Sequence, residues 1–135
     1  MPEWLFPISP IAASRPRVSR HGAYYTGPYK KFRKEMAEII PLILGESFIP
    51  YEGPLKVDVE FYIKRPQKTK LEAPKADIDN FLKACFDVMN KRLWDDDTQI
   101  RELYAVKEWA HPKQEGYFIL GVDKLEIEKN RGDEL

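Results

Sequence analysis

From Ile78 the apolar residues recur at Ile78, Phe81, Leu82, Cys85, Phe86, Met89 and Leu93, the i, i+3, i+4, i+7 rhythm of an amphipathic helix. The opposite side carries Asp79, Asn80, Lys83, Asp87 and Asn90. A different rhythm governs Leu55, Val57, Val59, Phe61 and Ile63, which alternate strictly with polar neighbours and predict a half-buried strand. Trp4 to Ile8 alternates enough for a first strand, and a proline-containing basic segment runs from there to about residue 27. Pro28 opens a helix to about Ile40, proline being favoured in a first turn. Pro41, Gly45, Pro50 and Gly53 predict a loop, and Pro74 marks the turn into the polar-faced helix. Strands around 100–109 and 116–122 follow, joined by a turn near His111–Glu115. This order predicts an α+β fold, with helices packed on one face of a small mixed β-sheet.

The polar helix face is where the chain asks for a chemical explanation. Asp77 and Asp79 form a D-x-D pair, Lys83 lies four residues beyond Asp79, and Asp95, Asp96 and Asp97 follow one helix-length later. A D-x-D pair plus an aspartate from a neighbouring element supplies the oxygen ligands that Mg²⁺ prefers. The same residues also admit a purely structural account. Asp77 stands where an N-cap would accept from a free backbone N–H, and Asp79 with Lys83 is spaced as a surface i, i+4 ion pair. That account leaves the three consecutive aspartates unexplained, because their mutual repulsion needs relief by a cation or by solvent.

The stretch D-I-D-N-F-L-K-A-C-F-D-V-M-N, followed by D-D-T-Q-I, is similar to the signature of the RusA-type Holliday junction resolvases, D-x-D-N-x-x-K-x-x-x-D-x-L-N and then D-D-x-Q-I. Asp77, Asp79, Asn80, Lys83, Asp87 and Asn90 match in register, as do Asp96, Asp97, Gln99 and Ile100; Met89 replaces the usual leucine. The R-P-R-V-S-R segment from Arg15 and the Y-K-K-F-R-K run at 29–34 also resemble the family's N-terminal half, so the resemblance covers most of residues 5–122. The connection Lys91–Trp94 departs from it by lacking the glycine often found there.

The resemblance implies a metal-dependent endodeoxyribonuclease that resolves four-way DNA junctions by paired symmetric nicks, in recombination and repair, as a two-fold homodimer. It implies Asp77, Asp79 and Asp97 as ligands of Mg²⁺, or of Mn²⁺ in its place, with Asp96 as a further metal residue in an outer shell. Lys83 would neutralise charge on the phosphate, and Asn80 and Asp87 would support the site. Two other functions stay open at this point: a non-catalytic DNA-binding module, and a metal-dependent phosphoesterase acting on small phosphate esters.

Charge distribution adds a partner. The 135 residues carry no net charge, with 22 Lys+Arg against 22 Asp+Glu, so the total alone does not suggest DNA. Residues 1–75, however, hold 13 Lys+Arg against 8 Asp+Glu, a balance of +5, which leaves −5 for the remainder. Arg15, Arg17, Arg20, Lys30, Lys31, Arg33 and Lys34 form one basic stretch without an acid, and Lys64, Arg65, Lys68, Lys70 and Lys75 form a second that runs into the acidic motif. Such residues suit phosphate contacts, and Tyr24, Tyr25 and Tyr29 offer aromatic surfaces that would either stack on bases or join the core.

Cys85, the single cysteine, lies on the apolar helix face and excludes a disulfide within the chain, which fits a cytoplasmic setting. His21 and His111 have no partner at metal-ligand spacing and are expected in exposed loops. No apolar run approaches the roughly 20 residues of a membrane span, and residues 1–14 lack the pattern of a cleavable leader. The expected organisation is one nuclease domain over 1–123 and a charged C-terminal tail over 124–135.

Overall fold

In the computed structural model, which describes residues 1–14, 16–25 and 27–126, the chain runs β1 (Glu3–Phe6), β2 (Arg17–Ser19), β3 (Gly22–Tyr24), α1 (Gly27–Leu44), β4 (Leu55–Ile63), α2 (Ile78–Met89), a 3₁₀ turn (Asp97–Gln99), β5 (Ile100–Trp109) and β6 (Tyr117–Lys124). Strands β1-β6-β4-β5 form one mixed sheet, and β2 with β3 forms a separate hairpin. β4 runs parallel to β5 and antiparallel to β6. The architecture is α+β, as the order of elements predicts.

Alternation decides what each sheet face does. Val57, Val59 and Phe61 pair across to Val122, Leu120 and Phe118, and these side chains are all buried on one face. Phe32, Met36 and Ile40 of α1 and Phe81, Cys85, Val88 and Met89 of α2 cover that face. Phe6 stacks on Phe118 at 5.0 Å between ring centroids, and Phe61 meets Phe81 at 5.5 Å. A 12-residue helix such as α2 is marginal alone. Burying each large apolar side chain contributes about 1.5–3 kcal/mol. Packing onto the sheet therefore holds α2 and fixes the direction of its polar face.

The other sheet face bears Glu3, Asp58, Glu60, Glu102, Glu108 and Asp123, with Lys56 as the basic residue among them. This face is acidic and carries neither helix.

The structure departs from the sequence pattern in four places. Residues 17–24, read as an irregular basic segment, contain the β2–β3 hairpin, whose strand residues are all exposed. Helix α1 continues through Pro41 to Leu44. Pro41 and Ala37, whose carbonyl loses its usual partner, are both exposed, so that carbonyl is open to solvent, while Ile40, Ile43 and Leu44 still pack on the core. The expected turn at 111–115 does join β5 to β6, but it has to pass β4, which lies between them in the sheet. Finally, β6 takes in Lys124, and the N–H of Leu125 donates to the Pro54 carbonyl at 2.9 Å, so the first residues of the expected tail are tied to the domain. Residues 127–135 of that tail lie outside the described residues.

Candidate active site

The loop from Lys64 to Asp77 delivers the chain to the start of α2, and β5 secures it. Lys107 Nζ donates to the Ala76 carbonyl at 2.8 Å, and Trp109 Nε1 donates to the Leu71 carbonyl at 3.0 Å. From the other side, the N–H of Ala13 donates to the Asn80 carbonyl at 2.9 Å, which docks the N-terminal segment on the first turn of α2. Asp77 occupies the N-cap position with extended backbone (φ −66°, ψ 140°), yet its side chain makes no capping hydrogen bond. The capping account of its carboxylate is therefore incorrect. Only its backbone carbonyl serves the helix, accepting from the Asn80 N–H at 3.1 Å.

Asp79, Lys83, Asp87, Asp97 and Arg101 line one open cavity of about 430 Å³, floored by Leu82, Phe86, Ile100 and Leu103. Lys83 is not paired with Asp79, as the i, i+4 spacing suggests, but with Asp87, at 3.9 Å. The reason lies beneath the helix. Tyr29 of α1 is buried, and its hydroxyl donates to Asp87 Oδ2 at 3.0 Å while accepting from Arg33 Nη1 at 3.3 Å. Asp87 is thus held in place, whereas Asp79 projects from the exposed first turn. Burial pushes the Tyr29 phenol above its ordinary range, opposed by the Arg33 hydrogen bond and reinforced by the Asp87 carboxylate. Arg33 also lies 4.8 Å over the Tyr25 ring. Tyr25 and Tyr29 therefore belong to the packing between hairpin and helix, and Tyr24 remains exposed.

The three consecutive aspartates are separated by the backbone and need no shared cation. Asp95 pairs with Lys91 Nζ at 2.8 Å. Asp96 caps the 3₁₀ turn: its Oδ2 accepts from the Thr98 N–H at 3.0 Å, while its own N–H donates to Gln99 Oε1 at 2.8 Å. The Thr98 hydrogen bonds hold the Asp96 carboxyl below the usual carboxylate range. Asp97 Oδ2 accepts from Asn90 Nδ2 at 3.2 Å. Asp96 faces a second cavity, with Pro50, Glu52 and Gln99, and only Asp97 of the three turns into the cavity with Asp79 and Lys83. The Asp96 carboxylate is thus engaged with the cap and lines a different cavity from the one that Asp97 lines. Gln99 completes the turn by donating to the carbonyls of Tyr51 at 2.9 Å and Gly53 at 3.0 Å.

The basic residues fall in two groups. Arg17 sits on β2 and Arg20 in the hairpin turn, both exposed; Arg15 lies outside the described residues. Lys30 and Lys31 begin α1, with Lys31 paired to Glu35 at 3.7 Å. Lys64 is paired to Glu115 at 2.8 Å, whereas Arg65, Lys68, Lys70 and Lys75 are exposed along the loop that ends at Asp77. His21 and His111 are exposed, and Cys85 is buried with its thiol pushed well up by desolvation. Arg101 was not singled out by the sequence. The available signal was its place directly after the matched D-D-x-Q-I motif, on a strand that leaves the acidic turn.

The donor set determines which ion the residues suit. Among the described residues, no group of three His, Cys, Asp or Glu is gathered tightly enough to cage a metal. An all-protein zinc or calcium cage is therefore a poor match. Mg²⁺ needs only one or two carboxylates, with water and substrate phosphate completing its shell, and the carboxylates of Asp79 and Asp97 on one open cavity suit that; Asp77, two residues before Asp79, is not among the residues that line it. No described helix is long and apolar enough to cross a membrane.

No curated protein matches the chain. The family model for endodeoxyribonuclease RusA does, over residues 7–115, a span that includes both basic groups, α2 and the acidic turn. The chain belongs to the RusA endodeoxyribonuclease family.

Proposed function

We propose that this protein is a metal-dependent, structure-selective endonuclease that resolves four-way DNA junctions by paired nicks in recombination and repair, working as a two-fold homodimer. Family membership carries the endodeoxyribonuclease class and the junction substrate. The observation that supports the chemistry is the convergence of Asp79, Lys83 and Asp97, from a helix and a separate turn, on one open cavity, with the Asp77 carboxylate left free of any capping bond two residues before Asp79.

Asp79 and Asp97 would hold Mg²⁺, with Mn²⁺ as a substitute, and Asp77, two residues before Asp79, would join them only when the ion draws it in. When bound, the ion supplies a polarised scissile phosphate and an attacking water of lowered pKa. Lys83, from its place beside Asp87, neutralises charge that builds on the phosphate oxygens. Arg101 on the cavity wall offers a second cation to the same phosphate. Asp87 and Asn80 act on the supporting side: Asp87 tethers Lys83 to Tyr29, and the Asn80 backbone anchors the N-terminal segment.

Charge placement gives the direction of approach. Arg17 and Arg20 on the hairpin and Arg65, Lys68, Lys70 and Lys75 on the loop that ends at Asp77 are exposed, while the acidic outer face of the sheet would repel phosphate. DNA thus meets the helix side. One site per chain cannot make two symmetric nicks at once, and a closed two-fold dimer matches the symmetry of a four-way junction.

The test is a substrate panel in Mg²⁺ comprising a synthetic four-way junction, the corresponding linear duplex and free nucleotides. The expected result is cleavage of the junction alone. Hydrolysis of nucleotides, or tight junction binding without any cutting, would replace this function with a phosphoesterase or a binding module.

A further inference from the structure

The turn after α2 holds a hydrogen-bond chain that the catalytic scheme leaves unused. Trp94, fully buried, donates its indole Nε1–H to Asn90 Oδ1 at 2.7 Å, and Asn90 Nδ2 donates to Asp97 Oδ2 at 3.2 Å. An indole nitrogen can only donate, so the amide oxygen of Asn90 must face Trp94. The amide nitrogen is then compelled to face Asp97. The orientation of the amide is fixed by chemistry and not by assignment alone.

The backbone makes this chain rigid. Asn90 closes α2 through its N–H on the Phe86 carbonyl at 2.9 Å, and Arg92 and Leu93 both donate to the Met89 carbonyl at 2.9 Å. Lys91 reverses the chain with a φ of 69°, and its N–H donates to the Trp94 carbonyl at 2.8 Å. The Trp94 ring packs edge-on against Phe86 at 5.5 Å. The segment therefore returns Trp94 over Asn90 and sends Asp97 forward into the cavity.

We propose that Asn90 is a positioning residue: clamped by Trp94, it holds Asp97 Oδ2 and so presents Asp97 Oδ1 to a divalent cation in the cavity. The inference rests on the proposed metal role of Asp97. Residues that orient ligands in this way commonly change metal affinity by about 10–100-fold when removed.

The test is Mn²⁺ binding to the full chain without DNA, followed by electron paramagnetic resonance. Thermal unfolding of each variant in EDTA checks that it is folded. Asn90→Ala is expected to weaken Mn²⁺ binding by about 10–100-fold, while four-way junction binding in EDTA stays at the wild-type level. Trp94→Phe retains an aromatic ring but removes the N–H, and is expected to weaken Mn²⁺ in the same direction by less. It remains decisive if Asn90→Ala does not fold. In an Asp97→Asn background, Asn90→Ala is expected to have no further effect. Wild-type Mn²⁺ affinity in folded Asn90→Ala and in Trp94→Phe, with Asp97→Asn defective, would overturn the positioning role and leave the proposed function intact. Equal binding by wild type and Asp97→Asn would instead remove the metal role of Asp97, and with it this inference.

Discussion

Replacing Tyr29 with phenylalanine isolates the contact that ties α1 to α2. The phenol donates to Asp87 at 3.0 Å and accepts from Arg33 at 3.3 Å, and the ring itself is buried against Tyr25. Phenylalanine keeps the ring and deletes both hydrogen bonds. A hydrogen bond to a charged group contributes about 1.5–3 kcal/mol, and the low end applies here because Asp87 is only half-buried and water can replace the donor. For a domain of this size, a loss of about 1.5 kcal/mol lowers Tm by roughly 4–8 °C. A pH dependence should accompany it. Burial raises the folded pKa of Tyr29 above its ordinary value of 10.0, so the folded state holds this proton more tightly than the unfolded chain. The corresponding stability is fully present below pH 10.0 and is lost as pH rises from there through the folded value. Burial raises Tyr51 and Tyr62 as well, so the variant should keep an alkaline decline of shallower slope. Thermal melts of both proteins from neutral pH to pH 11 would read this. A Phe variant as stable as wild type, or one with an equally steep alkaline decline, would refute the role given to the phenol.

Three further outcomes follow from the same structure. Asp96→Ala should lower Tm through loss of the 3₁₀ cap while leaving Mn²⁺ affinity unchanged. Because the Asp96 carboxyl is held below its ordinary value of 3.8, its stabilising contribution is present above that pH and disappears as pH falls through the lower folded value, so the variant should show a shallower acid decline in thermal melts. Arg17→Ala and Arg20→Ala should each weaken junction binding and reduce the log K against log salt slope by about 0.9 for each phosphate no longer neutralised; Lys64→Ala, already neutralised by Glu115, should change binding less in the same fluorescence-anisotropy titration. Lys91→Gly should raise Tm, since φ of 69° is strained for lysine and free for glycine, and the surface pair with Asp95 is a weak counterweight.

What could be read from the sequence followed burial. β4 and α2 were legible because each has one face in the core, so its period shows in the apolar residues. The β2–β3 hairpin has no buried residue, and a strand without a buried face has no alternation to show. Its turn depends instead on Gly22 at φ 111° and on Ser19, whose hydroxyl accepts from the His21 N–H at 3.1 Å. The position of β4 between β5 and β6 was equally hidden, because pairing partners far apart in sequence leave no mark in a local pattern. At the candidate site, the signature marks residues but not how the backbone separates them. Three adjacent aspartates look alike until the backbone turns Asp95 toward Lys91, Asp96 toward Thr98 and Asp97 toward Asn90. The missing glycine has a similar resolution, since Lys91 itself adopts the left-handed conformation that a glycine would supply.

The most direct test of the central claim maps every strand of a synthetic four-way junction after incubation in Mg²⁺, with wild type and Asp79→Asn in parallel. Asp79 is exposed on the first turn of α2 and makes no contact that the fold requires among the described residues, so its replacement should leave Tm within a few degrees. Loss of a metal ligand removes several kcal/mol of transition-state stabilisation; about 4 kcal/mol at about 1.36 kcal/mol per decade is about a thousandfold in rate. The account predicts paired nicks on opposing strands from wild type, and near-complete loss of cutting with junction binding retained in Asp79→Asn. Undiminished nicking by the folded variant, or cutting that persists in EDTA, would contradict it.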